Sequence, residues 1–589
     1  MPNFLGSLFP NKTSRHVVIL IALIVAVYAN SLGNGFVWDD FLVIAGNNFV
    51  KSWSNFPLIF SRDYLTSPDE VSYLGQCFSG AGEATYRPVV TISYFVDYFL
   101  FGRNPFGYHL VNLLFHIFNS VLAYFLARMI LKDARGAFFA ALFFGLHPIQ
   151  TEAVNNISFR EDLFVFFFGI SAFILFIKAK ACSLDRKRLM LLFSNLLFFL
   201  ALFSKEMAVT FPILFLLYDY CFCREEIKGG FWRHIKSYYL AYGVVLLFFL
   251  WIWAFVMPSE NKPLIYFGQT AWSNFLTMAK VFGIYVFWMF IPVNIHGTVP
   301  DFSIAEFSLW SIEVIAAIMA LLFLMYCVAR FWQRHRVVSF GILWFFIALF
   351  PVANIFPIQN IIACRYLYFP SFGFFLIFAY GLRQLTSLKV RYITVGFPRR
   401  IEILILVGVM IVYGIVTPLR NSAWRNNDTF YEDIYSYYPQ KEWIHRSLAG
   451  SFIRKGMIEE AILEFKIAGI LDPKNSETSG FLARLYLRQG KINEAIHELR
   501  KTIALDESNV FARNALCGLH GAEGDCRKAI ACFEDLIVKS PEFLDGHYNL
   551  GIAYQHCGED QKAKKAFEEL LRRDPKYPNI WQKLRELEH

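Results

Sequence analysis

Charge is scarce in this sequence. Of its 589 residues only 17% are Asp, Glu, Lys or Arg, against 56% hydrophobic residues and 65 phenylalanines. With a mean hydropathy of +0.41, this excludes an ordinary soluble enzyme and points to repeated crossing of a bilayer. Metal-ligand spacing is missing as well. Cys77, Cys182, Cys221, Cys223, Cys327 and Cys364 are scattered through the apolar part. Cys517, Cys526, Cys532 and Cys557 follow steps of 9, 6 and 25 residues, which match no zinc pattern and fix no disulfide framework. No cleavage pattern follows the apolar run from Val17 to Tyr28, so it reads as an uncleaved first span. The net charge of +9 is no nucleic-acid footprint, because the basic residues gather in short loops between apolar runs.

Eleven apolar segments are candidates to cross, near 16–33, 107–131, 136–150, 162–178, 189–203, 207–222, 238–257, 309–330, 337–356, 367–384 and 401–419. Basic residues orient them. Loops assigned to the cytoplasm hold 21 Lys and Arg, from Lys12 and Arg15 to Arg399 and Arg400, and the opposite loops hold nine. The N-terminus is therefore expected inside. Pro292–Ser308 contains no Lys or Arg. Trp272–Pro292 is accordingly expected to lie on or dip into the outer surface rather than to cross it.

After the last span the composition turns charged and amphipathic, with a period of 34. Gly456, Gly490, Gly524 and Gly558 form one row, and Ala461, Ala495, Ala529 and Ala563 a second. Phe465, Leu499, Phe533 and Phe567 form a third, and Phe452, Tyr486, His520 and Tyr554 a fourth. Pro473, Pro541 and Pro575 share one phase, with Glu507 in the remaining position. A small residue at a helix crossing, a Gly at the turn and a Pro opening the linker are the marks of tetratricopeptide repeats. The expected organisation is all-α: a polytopic helical membrane domain over 1–425, four repeats over 442–577, and a closing helix over 578–589. Eleven spans put the repeats outside, on the side of the first long loop.

Ionisable residues cluster at the outer ends of the spans. Asp39 and Asp40 follow the first one, in Trp38-Asp39-Asp40, and such a pair can act as a base or hold a metal. Tyr86-Arg87-Pro88 precedes an amphipathic stretch ending near Gly102. His109, Asn112, His116 and Asn119 step by 3, 4 and 3, which puts them on one helix face turned to protein or water. Two turns, roughly 10 Å, separate the histidines, so interhelical hydrogen bonding is expected rather than a shared metal. A short loop holds His147, Glu152, Arg160, Glu161 and Asp162. Lys205 and Glu206 tip another, where a pair or a ligand is required. Arg365, beside Tyr366 and Tyr368, either anchors at the interface or clamps a phosphate. The cations Arg87, Arg160, Lys205 and Arg365 suit the leaving phosphate of a lipid-linked sugar, and a carboxylate suits the acceptor's proton. His109, His147, Glu152, Glu161, Asp162, Glu206 and Tyr366 would support them.

Trp38-Asp39-Asp40, Gly107-Tyr108-His109, His147-Pro148 with Thr151-Glu152-Ala153-Val154, Ser204-Lys205-Glu206 and Arg365-Tyr366-Leu367-Tyr368 stand in the order of one family. Followed by the repeats, they make the chain resemble the transmembrane and tetratricopeptide-repeat protein O-mannosyltransferases and their bacterial relatives. The resemblance implies a GT-C fold and a polyprenyl- or dolichyl-phosphate sugar donor as co-substrate. It also implies inverting transfer to Ser or Thr hydroxyls of acceptor polypeptides on the extracytoplasmic face, with Asp39 or Asp40 as base. Four repeats are fewer than in the animal members, which favours a bacterial inner membrane, the endoplasmic reticulum being the eukaryotic equivalent. No obligatory metal ion and no nucleic acid is expected. The competing readings are a non-catalytic scaffold whose repeats recruit partners, and a GT-C enzyme acting on a glycan or lipid. A scaffold gives no reason for Asp39, Glu152, Lys205 and Arg365 to occur together.

Overall fold

Proline and capping residues set where the helices begin and break. Asn104 accepts the backbone N–H of Phe106, with Pro105 opening the helix Pro105–Leu131, the placement in which a missing N–H costs nothing. Asp133 caps the next helix through the N–H groups of Arg135 and Gly136. That helix stops at Leu146, because Pro148 drives His147 out of the helical region. The chain resumes as Pro148–Asn155 at a bend of 48°.

The computed structural model describes residues 12–60, 87–228, 230–255, 270–293, 295, 308–358, 360–387 and 397–587. Tyr86, the loop around Lys262 and residues 296–307 lie outside these. All regular structure among the described residues is helical. The chain forms two units, Met1–Phe430 and Tyr431–His589.

The first unit contains α1 (Lys12–Tyr28), α2 (Pro88–Phe101), α3 (Pro105–Leu131), α4 (Ala134–Leu146), α5 (Arg160–Ala179), α6 (Leu184–Leu202), α7 (Phe211–Phe222) and α8 (Leu240–Phe255). After these come α9 (Ala271–Phe290), α10 (Ile312–Phe331), α11 (Arg336–Leu349), α12 (Ser371–Ser387) and α13 (Phe397–Ala423), and α14 (Asn427–Tyr437) begins at its end. Neighbours pack in sequence, α3 on α4, α5 on α6 and α11 on α12, and α12 returns to α4. One apolar core joins them, from Leu20 and Phe143 to Trp344 and Phe375.

Six helices among the described residues are long and apolar enough to cross a membrane, or eight if each of two bent pairs is one span. Other segments of the expected eleven are shorter helices. At 12 residues, α7 covers only about 18 Å of a hydrocarbon layer near 30 Å.

By length and hydropathy α9 is among the six. Lys280 pairs with Glu313 in the first turn of α10. Asn274 donates to the Asn354 carbonyl, just past α11. The Tyr285 hydroxyl accepts the Ala363 N–H ahead of α12. Beyond α9, the Ile295 carbonyl accepts from Arg420 near the end of α13. Through these residues α9 meets the ends of three neighbours, α10, α11 and α12, and it also packs on α10.

The second unit is built of four helix pairs: Glu442–Arg454 with Ile458–Leu471, Ser476–Arg488 with Ile492–Leu505, Val510–Ala522 with Cys526–Lys539, and Leu544–His556 with Asp560–Arg573. Ile580–Glu586 follows. Gly456, Gly490, Gly524 and Gly558 turn each pair at φ between +70° and +82°, a conformation that opposes any side chain. The alanine row is wholly buried at the crossings, and Phe465, Leu499, Phe533 and Phe567 fill the core beside it. The tail cysteines, unassigned from spacing, form two disulfides, Cys517–Cys532 and Cys526–Cys557. Gly490→Ala is expected to lower the melting temperature of the repeats, since a left-handed residue with a Cβ costs roughly 1–2 kcal/mol. Calorimetry of the variant checks this.

Candidate active site

Several of the ionisable residues expected at the site pack together in the first unit. Arg87 Nη1 lies 2.6 Å from Glu161, and Nη2 donates to both oxygens of Glu206 at 3.1 and 3.2 Å. Lys205 Nζ donates to both oxygens of Asp162 at 2.8 Å and lies 3.3 Å from Glu161. Arg365 Nη1 donates to Glu152 at 2.7 Å, and the Arg365 backbone N–H meets the second Glu152 oxygen at 3.1 Å. The ring of Tyr366 lies 5.1 Å from the Arg365 guanidinium and 5.4 Å from the Lys205 ammonium. It therefore links two cations through its electron-rich face. Phe159 holds Arg365 from another side, at 4.0 Å.

The two aspartates differ sharply. Asp40 is fully buried, and each of its oxygens accepts a backbone N–H: Oδ2 from Val37 at 3.0 Å, Oδ1 from Ser158 at 2.7 Å. Burial pushes its carboxyl up to about 7 against those two hydrogen bonds. Asp39 is half-buried, and its Oδ1 has no hydrogen-bond partner among the described residues. Burial pushes this carboxyl well above the usual carboxylate range. Arg365 pulls the other way, while Asp40, Glu161 and Glu152 add to the rise. Asp39 thus stands within electrostatic reach of Arg365, with one carboxylate oxygen left without a hydrogen bond among the described residues.

Arg160 departs from its expected place among the phosphate ligands. It is completely buried, 2.5 Å from Asp97. It donates to the Asn112 side chain at 2.7 Å, to Ser93 at 3.0 Å and to the Tyr108 carbonyl at 3.3 Å. Its donors are spent on holding α2, α3 and α5 together, so no fork is left for an anion. His147 is also set apart. Its Nδ1 accepts the Ile149 N–H, and its ring packs against Phe375 and Tyr413, which makes it the cap of the break after α4.

The α3 stripe serves the site from behind. His109 Nε2 donates to the Gly35 carbonyl at 3.2 Å, directly behind the aspartate loop. Asn112 reaches the Val154 and Asn156 carbonyls. His116 donates through Nε2 to the Gly145 carbonyl and accepts the Tyr368 hydroxyl on Nδ1, both at 2.9 Å. Asn119 donates to the Leu163 carbonyl. No group of three or more His, Cys, Asp or Glu among the described residues is arranged to hold a metal ion.

Sequence reasoning missed Asp97, which stands alone in an apolar helix and whose only signal was the need of a buried Arg160 for a counter-charge. It also missed the segment after α13. Asn421, Arg425, Asn427 and Phe430 all engage the aspartate loop or the turn before it.

A helical membrane bundle with a charged, half-enclosed end, followed by a repeat solenoid, defines the class. The tetratricopeptide repeat family matches residues 477–509 and 544–577. Over a wider range, the chain matches the protein O-mannosyl-transferases of the transmembrane and tetratricopeptide-repeat family. It is 26% identical to Protein O-mannosyl-transferase F38B6.6 of Caenorhabditis elegans over 469 residues, covering 78% of this chain and 63% of the relative. It is 24% identical to Protein O-mannosyl-transferase TMTC1 of Mus musculus, covering 78% and 58%, and 25% identical to TMTC1 of Homo sapiens, covering 78% and 55%. The chain thus spans less than two thirds of these relatives' length. Among solved structures, MamA is similar over 25% of this chain and 80% of its own, at 25% identity and a TM-score of 0.23. YrrB, described as a tetratricopeptide protein with an unusual peptide-binding site, is similar over 32% and 90%, at 18% identity and a TM-score of 0.24.

Proposed function

We propose that this protein transfers a hexose, mannose first among the candidates, from a polyprenyl-phosphate donor to Ser or Thr hydroxyls of polypeptides, with inversion. The observation that carries this reading is the contrast at the aspartate pair: Asp40 is committed to the backbone, while Asp39 keeps an oxygen free beside Arg365. Asp39 takes the proton of the acceptor hydroxyl as its oxygen attacks the anomeric carbon. The bond from that carbon to the phosphate oxygen breaks, and the lipid phosphate leaves with the electron pair. Arg365, Lys205 and Arg87 stabilise the charge that develops there. Arg160 drops out of this group and acts as a structural clamp. Residues 1–425 perform the transfer, and the repeats over 442–577 present the acceptor.

The two disulfides support an extracytoplasmic place for the repeats, since such bonds persist in oxidising compartments. This argument is independent of counting spans. A cysteine introduced at Gln489 should be labelled from outside in intact cells. Labelling only after permeabilisation would separate the repeats from an outward-facing site.

The decisive assay offers purified protein a panel of lipid-phosphate sugars and reads transfer to a Ser/Thr peptide by mass. Transfer to a glycan but never to peptide would overturn the acceptor. In the same assay the rate should rise with pH. Asp39 must be ionised to act, and its raised pKa puts the rising limb above the usual carboxylate value of about 3.9. A pH-independent rate down to that value would remove Asp39 as the base. Lys205→Ala should weaken donor affinity first, as a rise in donor KM.

A further inference from the structure

The aspartate loop is fastened from far along the chain. Trp38, immediately before Asp39, has φ +53°, a left-handed conformation costly for a bulky side chain that persists only where its surroundings impose it. Those surroundings are the segment that follows α13. The Trp38 N–H donates to the Asn427 side chain at 2.8 Å. The Trp38 ring stacks on Phe430, with centroids 5.6 Å apart at 29°, and Trp424 backs Phe430 at 4.8 Å. Three residues earlier the Gly35 N–H donates to the Arg425 carbonyl at 2.8 Å. On its other side the Trp38 ring meets Phe159 edge-on at 5.9 Å, and Phe159 is the ring beneath Arg365. One indole therefore touches the support of the base and the support of a cation.

We propose that Asn427 and Phe430 are positioning residues for the transfer reaction: they hold Trp38 in its strained conformation and so fix the direction of the Asp39 carboxylate. The inference rests on Asp39 being the base. Without the Asn427 acceptor and the Phe430 ring, Trp38 relaxes toward an ordinary backbone conformation, and the carboxylate beside it swings with the chain. The Lys205–Asp162 and Arg365–Glu152 pairs are held by their own mutual hydrogen bonds, so the main effect is expected on turnover rather than on donor binding.

The test uses the full-length protein with polyprenyl-phosphate mannose and a Ser/Thr peptide. Asn427→Ala is expected to lower kcat by about 10²-fold, the cost of an ångström-scale misplacement, with donor KM unchanged. Asn427→Asp, which keeps a side-chain acceptor for the Trp38 N–H, should recover most of that loss. Phe430→Leu should behave like Asn427→Ala, and Phe430→Tyr should behave like the parent. Where Asn427→Ala fails to fold by thermal melting, the Phe430 pair decides. An inactive Asp39→Asn together with unchanged kcat in Asn427→Ala and Phe430→Leu would overturn the positioning role and leave the base intact. Full activity of Asp39→Asn would instead overturn the base itself. A rise in donor KM with kcat preserved would likewise refute the positioning role.

Discussion

Asp39→Asn should cut transfer by about 10²–10⁴-fold, the usual cost of losing a general base, with donor binding and thermal stability near those of the parent. The amide keeps the shape of the carboxyl but accepts no proton, and no hydrogen bond to Oδ1 is lost because none is made there. Asp40→Asn should behave differently. Both of its oxygens accept backbone N–H groups, and an amide nitrogen facing Val37 or Ser158 sets donor against donor. Stability and yield should fall together, and the rate loss should follow from the disturbed loop. Turnover and melting of the two variants side by side are the measurement. Near-parental transfer by Asp39→Asn would move the search for the base to Glu152, Glu161 and Asp162.

The largest loss of stability is expected from Arg160→Ala, on the order of 3–5 kcal/mol, because removing one partner of a buried pair leaves the other charge uncompensated. Here that charge is Asp97, itself nearly inaccessible. The same change strips Asn112, Ser93 and the Tyr108 carbonyl of a donor. Asp97→Asn with Arg160→Met should be far milder, since replacing both ions with neutral groups avoids the stranded charge. Melting in detergent or lipid discriminates the two. An Arg160→Ala protein as stable as its parent would put the pair at the margin of the fold.

Local periodicity made much of this molecule legible. The repeats were readable because Gly456 and its equivalents must turn at positive φ and Ala461 and its equivalents must sit at a crossing, so each constraint recurs every 34 residues. The His109–Asn119 stripe was readable because one helical face had to find polar partners. The charged clusters announced themselves because ions beside hydrocarbon need company. What escaped notice depends on partners distant in sequence. Nothing near Asp39 says that Asn427 lies beneath Trp38, and nothing in the pair Asp39-Asp40 says which carboxyl is tied down. In sequence Arg160 is indistinguishable from its fellow cations, and only the fold sets Asp97 beside it. The short helices blurred the span count for a related reason, since an apolar run in the sequence does not say how much of it forms one helix long enough to cross, as the 12-residue Phe211–Phe222 shows.

The two disulfides also determine how the solenoid comes apart. In a repeat array each unit leans only on its neighbours, so opening can start anywhere and spread. Here Cys517–Cys532 ties the two helices of the third pair, and Cys526–Cys557 ties that pair to the fourth. Three consecutive helices are thereby laced into one block that cannot separate. Opening is left to Glu442–Leu505 and to the two helices after Cys557, Asp560–Arg573 and Ile580–Glu586. Backbone amides between Cys517 and Cys557 should exchange with deuterium more slowly than their equivalents in the first two pairs, and a mild reductant should erase the difference.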